Sequence, residues 1–253
     1  MRNLVFDIET VPLPTDQLQA VMPAFNPEEI KTGNMVDQDK INAKIEKARL
    51  EQFNRFMRRA ALSALTSRIA MLGIKGETGP VEIIAGEETD IINHFMTFFE
   101  MMVDKGGHWI GFNIANFDLP FLIRRAWFHR IRIPYGIVRG RYLTSFFTDL
   151  LQLWTGSEYS NQFEVSLDEL AQFFGVGTKS ADGADFGEIL RYKPEAARAY
   201  LENDIEITWR VAEAMGAMRR PLPDLPAQAS SGPSVPGPVL EPVEAIKPGI
   251  QFY

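Results

Sequence analysis

Along the first 218 residues, short apolar runs alternate with longer amphipathic stretches. Leu4 to Glu9 combines β-branched and aromatic residues in the manner of a strand, and Pro12 and Pro14 then stop it. Residues 23–38 show no periodicity and read as irregular. From Asp39 to about Ala61 the chain is charged. Ile41, Ile45 and Ala48, then Phe53, Phe56, Met57 and Ala60, recur there at helical spacing. Arg68 to Ile74 and Val81 to Ala85 predict two further strands. Asp90 to Val103 predicts a buried helix, His108 to Phe112 another strand, and Asp118 to His129 a helix with Pro120 in its tolerant first turn. Leu167 to Phe174 predicts a short helix closed by Gly175, and Pro194 to Met218 a long one. Three strands, a helix, a strand and more helices, without internal repeat, imply an α/β fold. Its mixed sheet is flanked by helices, with a helical insertion after the first strand at about residues 24–64.

The pattern ends at residue 218. The 35 residues from Arg219 to Tyr253 hold eight of the sixteen prolines and the run Ser230-Ser231-Gly232. That composition predicts a disordered or extended tail. Its apolar end, Ile250 to Tyr253, is either locally packed or a docking motif for a protein partner.

Composition narrows the chemistry. Apolar runs all fall short of the roughly 20 residues of a spanning helix, which argues against a membrane protein. Met1-Arg2-Asn3 lacks a secretory signal pattern, so a cytoplasmic location is expected. With no cysteine and three scattered histidines, His94, His108 and His129, thiolate sites are excluded and a histidine-rich zinc site is disfavoured. A bound metal would be a hard cation held by oxygen. The net charge of −7 argues against non-specific coating of nucleic acid, but not against an enzyme that holds cations with its acids.

Three acidic clusters stand out. In Phe6-Asp7-Ile8-Glu9-Thr10 the two-residue strand period puts Asp7 and Glu9 on one face. At 4 Å and an effective dielectric of 20, their repulsion is about 4 kcal/mol, a penalty that a divalent cation removes. The plainer reading is a polar strand end. In Gly111-Phe112-Asn113-Ile114-Ala115-Asn116-Phe117-Asp118 a strand gives way to a loop and a helix, where Asp118 either caps the helix or faces Asp7. In Tyr200-Leu201-Glu202-Asn203-Asp204 the helical period puts Tyr200 and Asp204 on one face. They either belong to a site or are a half-buried Tyr beside a solvated Asp.

Taken in order, Asp-x-Glu, Asn-x-x-x-Phe-Asp and Tyr-x-x-x-Asp resemble the DEDD superfamily of 3′–5′ exonucleases, DnaQ-like proteins with a ribonuclease-H-type fold. Tyr200 makes the chain resemble the DEDDy branch. The DEDDh branch has His five residues before the last acid, where Ala199 stands here. The likeness extends over residues 3–216. It is strongest to the proofreading exonuclease domain of family-B DNA polymerases and its stand-alone relatives, whose pattern the stretch Lys40 to Ile74 also resembles.

The resemblance implies that Asp7, Glu9, Asp118 and Asp204 bind two divalent metal ions, Mg²⁺ or Mn²⁺, with Asp7 bridging them. It implies that Tyr200 orients the attacking water, and that the substrate is the 3′ end of single-stranded DNA, released as nucleoside 5′-monophosphates. Exoribonuclease or dual activity, a non-catalytic binding module and an unrelated α/β metal or phosphoesterase domain are the alternatives. Thr10 is expected to bond a terminal nucleotide or its own backbone. Asn113 would contact substrate or orient the strand end, and Phe117 would stack on a base or serve the core. Lys179, in Gly177-Thr178-Lys179-Ser180, would contact phosphate. Residues 121–147 carry Arg124, Arg125, Arg130, Arg132, Arg139 and Arg141 without an acid, interleaved with Trp127, Phe128, Tyr135 and Tyr142. That stretch is either a nucleic-acid track or a solvated face over core aromatics.

Overall fold

The computed structural model describes residues 2–137, 145–156, 165–178 and 186–219. The tail beyond Arg219, Lys179, Arg139, Arg141 and Tyr142 lie outside the described residues. Five strands form one sheet: β1 (Arg2–Pro12), β2 (Ser67–Gly76), β3 (Glu82–Ala85), β4 (Gly107–Gly111) and β5 (Phe147–Asp149). Their order is β3-β2-β1-β4-β5. β1, β2 and β3 pair antiparallel as successive neighbours, whereas β4 lies parallel to β1 and β5 parallel to β4. The helices are α1 (Thr15–Leu18), α2 (Gln38–Ala61), α3 (Glu88–Val103), α4 (Asp118–Phe128), α5 (Leu150–Trp154), α6 (Leu167–Phe174), α7 (Phe186–Tyr192) and α8 (Pro194–Ala214). This is the mixed sheet flanked by helices expected of a ribonuclease-H-like fold, and α2 is the helix inserted between the first two strands. Among the described residues, no helix is long and apolar enough to cross a membrane.

The period of two in β1 feeds two cores. Leu4, Phe6 and Ile8 pack with the buried faces of α3 and α4. Phe6 lies 5.2 Å from Phe95 and 5.7 Å from Trp109 between ring centroids, and Phe99 stacks on Phe147 at 5.4 Å. Such pairs add about 0.5–1.5 kcal/mol each beyond area burial. Val5 and Val11 instead join Met71, Ile110 and the buried residues of α6, α7 and α8. On that second face the strand positions between Val5 and Val11 are Asp7 and Glu9. A strand that is apolar on both sides therefore turns acidic at its far end, on the side covered by α8.

Caps set the helix limits. The Asp37 side chain accepts the backbone N–H groups of Asp39 and Lys40 to start α2. Ser166 and Glu169 form a capping box at the start of α6, and Gly175, at φ +65°, closes it in the left-handed conformation. The apolar stripe of α2 is only half-buried apart from Ala60, consistent with a helix that flanks the sheet rather than entering its core.

A buried ion cluster joins α3 to α4. Glu88 accepts Nε and Nη2 of Arg125 at 2.8 and 2.6 Å, Nε2 of His129 at 2.7 Å and the Ile69 amide at 2.8 Å. Arg125 also donates to the Ala64 carbonyl. Burial pushes the Glu88 carboxyl upward, but its bonds to Arg125, His129 and Ile69 outweigh that and leave its pKa lowered. Arg125 therefore belongs to the interior, not to a phosphate track. Arg132 is likewise paired, with Glu100.

His108 of β4 is buried, its Nε2 2.9 Å from the Thr148 hydroxyl. Burial, aided by the nearby Arg219 cation, pushes its pKa down to about 4, against the pull of a Ser145 backbone bond. The unfolded chain thus binds the proton first, so stability falls as pH drops from about 6.5 towards 4. The loss across that window is about 3 kcal/mol at one pKa unit per 1.4 kcal/mol. Urea unfolding at pH 7 and pH 4.5 should show this drop in wild type and a smaller one in His108→Gln. Equal drops in the two proteins would refute the assignment.

Candidate active site

The acids gather at the carboxyl ends of the parallel strands β1 and β4, the usual ligand position in an open α/β sheet. The last β1–β4 pair is Val5 with Ile110, after which the strands part. β1 continues along β2, placing Asp7 opposite Gly73 and Glu9 opposite Met71, and the register shifts between Glu9 and Thr10. Helix α8 crosses this end of the sheet at Gly73. A Cβ there would lie 2.9 Å from Ile205 Cγ1 and 3.1 Å from Leu201 Cγ. The missing side chain lets α8 approach closely enough to present Asp204 to β1. Carboxylate oxygens of Asp7, Glu9 and Asp204 all lie within 4.8 Å of one another. Asp204 is buried, and Asp7 and Glu9 are partly exposed.

Asp118 joins from the opposite side. It is the first residue of α4, and Phe117, not Asp118, occupies the cap position. The Ile8 amide is shared between Oδ1 of Asp7 at 3.1 Å and Oδ1 of Asp118 at 3.0 Å. Asp118 is thus tied to the strand that carries Asp7 and Glu9. Burial, then the Asp7 charge and a hydrogen bond with Asp7, raise its pKa well above the ordinary carboxylate value. Tyr200, one turn before Asp204, is buried, its ring 6.0 Å from that of Phe186. Burial, the charges of Asp204 and Glu9, a hydrogen bond to Asp204 and the Asp7 charge raise its pKa, so its hydroxyl keeps its proton. It can donate a hydrogen bond but cannot serve as a base.

The remaining residues distribute unevenly. Asn113 has φ +59°, a left-handed conformation that Asn tolerates, and its Oδ1 accepts from Asn116 at 3.0 Å. Phe117 is partly buried against the core, 5.5 Å from Phe121 between ring centroids. The Thr10 hydroxyl donates to the Ala61 carbonyl at 2.7 Å instead of to its own backbone, because the end of α2 comes alongside β1.

Two positioning residues went unread in the sequence. Buried Asp149, at the end of β5, accepts the amides of Asn113 at 2.8 Å, Ala115 at 2.9 Å and Leu151 at 2.9 Å. It caps α5 and fixes the loop that leads to Asp118. Burial raises its pKa even against those bonds. An Asp directly before the apolar Leu150-Leu151 is a readable cap signal. Gly73 is the other, a glycine inside an apolar strand, which marks close approach by another element. Gly73→Ala should lower stability by about 1–3 kcal/mol through overpacking. It should also lower activity, since α8 carries both Tyr200 and Asp204. A melt and a hydrolysis rate check this, and an unchanged pair would refute the close-packing account.

Three partly desolvated carboxylates within 4.8 Å form a donor set suited to a hard divalent cation, which offsets their mutual repulsion. The architecture recurs within a family B DNA polymerase. Over 84% of its length the chain superposes, with a TM-score of 0.50 and 19% identity, on the family B DNA polymerase from the hyperthermophilic archaeon Pyrobaculum calidifontis. The match spans 24% of that polymerase, and the likeness is one of fold. No curated protein matches the chain. Residues 54–222 match the profile of predicted 3′–5′ exonucleases related to the exonuclease domain of PolB, and the chain belongs to that family. The match includes Asp118, Tyr200 and Asp204 and begins after Asp7 and Glu9.

Proposed function

We propose that the protein is a metal-dependent 3′–5′ exonuclease that removes nucleoside 5′-monophosphates from the 3′ ends of single-stranded DNA. The observation that carries this reading is the convergence of Asp7, Glu9 and Asp204 within 4.8 Å, in a chain belonging to an exonuclease family. Asp7, Glu9 and Asp204 would hold one divalent cation, and Asp118, beside Asp7, would serve a second. Bound there, Mg²⁺ or Mn²⁺ supplies charge stabilisation for the attacking and leaving oxygens of an in-line phosphoryl displacement.

The protein side chains do the rest by placement. Tyr200, held protonated and hydrogen-bonded with Asp204, would orient the attacking water through its hydroxyl. The Ile8 amide fixes the carboxylates of Asp7 and Asp118 relative to each other. Asp149 holds the loop carrying Asn113, so that α4 begins with Asp118 facing β1. Phe117 and Asn113 border this end of the sheet, where the terminal nucleotide would lie.

The test is a gel assay on 5′-labelled single-stranded DNA and RNA of one sequence, with Mg²⁺, Mn²⁺ or EDTA. A metal-dependent ladder shortening from the 3′ end of DNA is expected. Faster shortening of RNA would make the enzyme an exoribonuclease, and no cleavage of either polymer with either metal would refute the proposal.

A further inference from the structure

The inserted helix α2 and the short helix α7 stand on either side of the end of β1. Between them runs a groove of about 470 Å³. Its floor is Thr10 to Pro12, beginning one residue beyond Glu9. Its α2 wall includes Asn54 and Arg58, and its α7 wall Glu188, Arg191 and Tyr192. Phe186, at the start of α7, packs on the ring of Tyr200, one helical turn from Asp204. The groove therefore adjoins, through Thr10, the strand end that carries Glu9.

Its chemistry differs from theirs. Arg58 and Arg191 are exposed, against the single acid Glu188. Tyr192 is 70% exposed, and the Arg191 guanidinium lies over its ring, 5.4 Å from the centroid. Asn54 and Arg58 also line an adjoining hollow with Arg55, Arg59 and Glu51, so arginines outnumber acids along this part of α2. Arginines on both walls of a groove with an exposed aromatic are what a single strand requires: cations for its phosphates and a flat ring for a base. In the α4 stretch, Arg125 is buried on Glu88 and Arg132 pairs with Glu100.

We infer that this groove between α2 and α7 is the track for the single strand upstream of the scissile linkage, with Arg58 and Arg191 on its phosphates and Tyr192 stacked on a base. The inference rests on the exonuclease reading for the identity of the ligand. It gives the insertion a role, as one wall of a substrate channel.

Fluorescence anisotropy with 5′-labelled 15-mers of single-stranded DNA and RNA in EDTA reads binding without cleavage. It therefore separates this inference from the exonuclease claim. Arg58→Ala/Arg191→Ala should weaken the full-length chain's binding about tenfold or more and reduce the slope of log K against log salt by about 1.4, or 0.7 per lost contact. Arg58→Lys/Arg191→Lys should restore most of that slope, and Tyr192→Ala should weaken binding about tenfold with the slope unchanged. Unchanged affinity and slope in the double alanine variant would overturn the inference. So would loss of slope in Arg124→Ala/Arg130→Ala instead, or no binding of either polymer by wild type. Binding as expected from a protein that cuts neither polymer would uphold the track and refute the exonuclease.

Discussion

Asp7→Asn is expected to lower nucleotide release by about a thousandfold or more while making the metal-free protein more stable. Both effects have one cause. Asp7 lies among Glu9 and Asp204, with carboxylate oxygens within 4.8 Å, and beside buried Asp118. Its negative charge is what a divalent cation at this centre requires. Loss of one charged group acting directly on the reacting phosphate commonly costs about 10²–10³ in rate, and loss of a cation with it costs more. Without the cation the same charge is a liability, because Asp7 already raises the pKa of Asp118 and of Tyr200. The amide of Asn is nearly the same shape and relieves that repulsion. In EDTA its melting temperature should rise by a few degrees, at about 2–4 °C per kcal/mol for a chain of this size. A variant that stays active, or that melts below wild type in EDTA, would contradict the account.

Glu88→Gln is expected to be the most destabilising single change outside the site. Glu88 holds both nitrogens of a bidentate Arg125 contact, His129 and the Ile69 amide. The Arg125 side chain is only 4% exposed, so neutralising Glu88 leaves a buried cation without its counter-charge. Breaking such a pair costs about 3–5 kcal/mol. The fall in melting temperature is then on the order of 10 °C. Thermal unfolding in EDTA, away from any metal effect, measures it. A change under 1 kcal/mol would mean that Arg125 finds another partner and that the cluster does not hold α3 to α4.

The sequence was most informative where an element is long and sharply punctuated. The strands at β1 and β2 and the helices α2, α3, α4, α6 and α8 carry enough periodic residues and caps to be read within a few positions. β5 has three residues and α7 seven, too few for either period to register. The acids were legible because their local spacing reflects the strand and helix periods. Their meeting in space was not, since it depends on Gly73 admitting α8 and on Asp149 holding the loop before Asp118. The burial of Arg125 within the arginine stretch was not legible for a related reason. Arg125 is 37 residues from Glu88, and nothing near it in sequence marks it as buried. Charge patterns report solvation only until a distant partner intervenes.

Asp7, Glu9 and Asp204 together are expected to bind a divalent cation. Crystals grown with Mn²⁺ and measured at the manganese absorption edge test it most directly. An anomalous peak bounded by those three carboxylates, lost in Asp7→Asn, is the predicted result. Saturating Mn²⁺ with no peak at those carboxylates would contradict it.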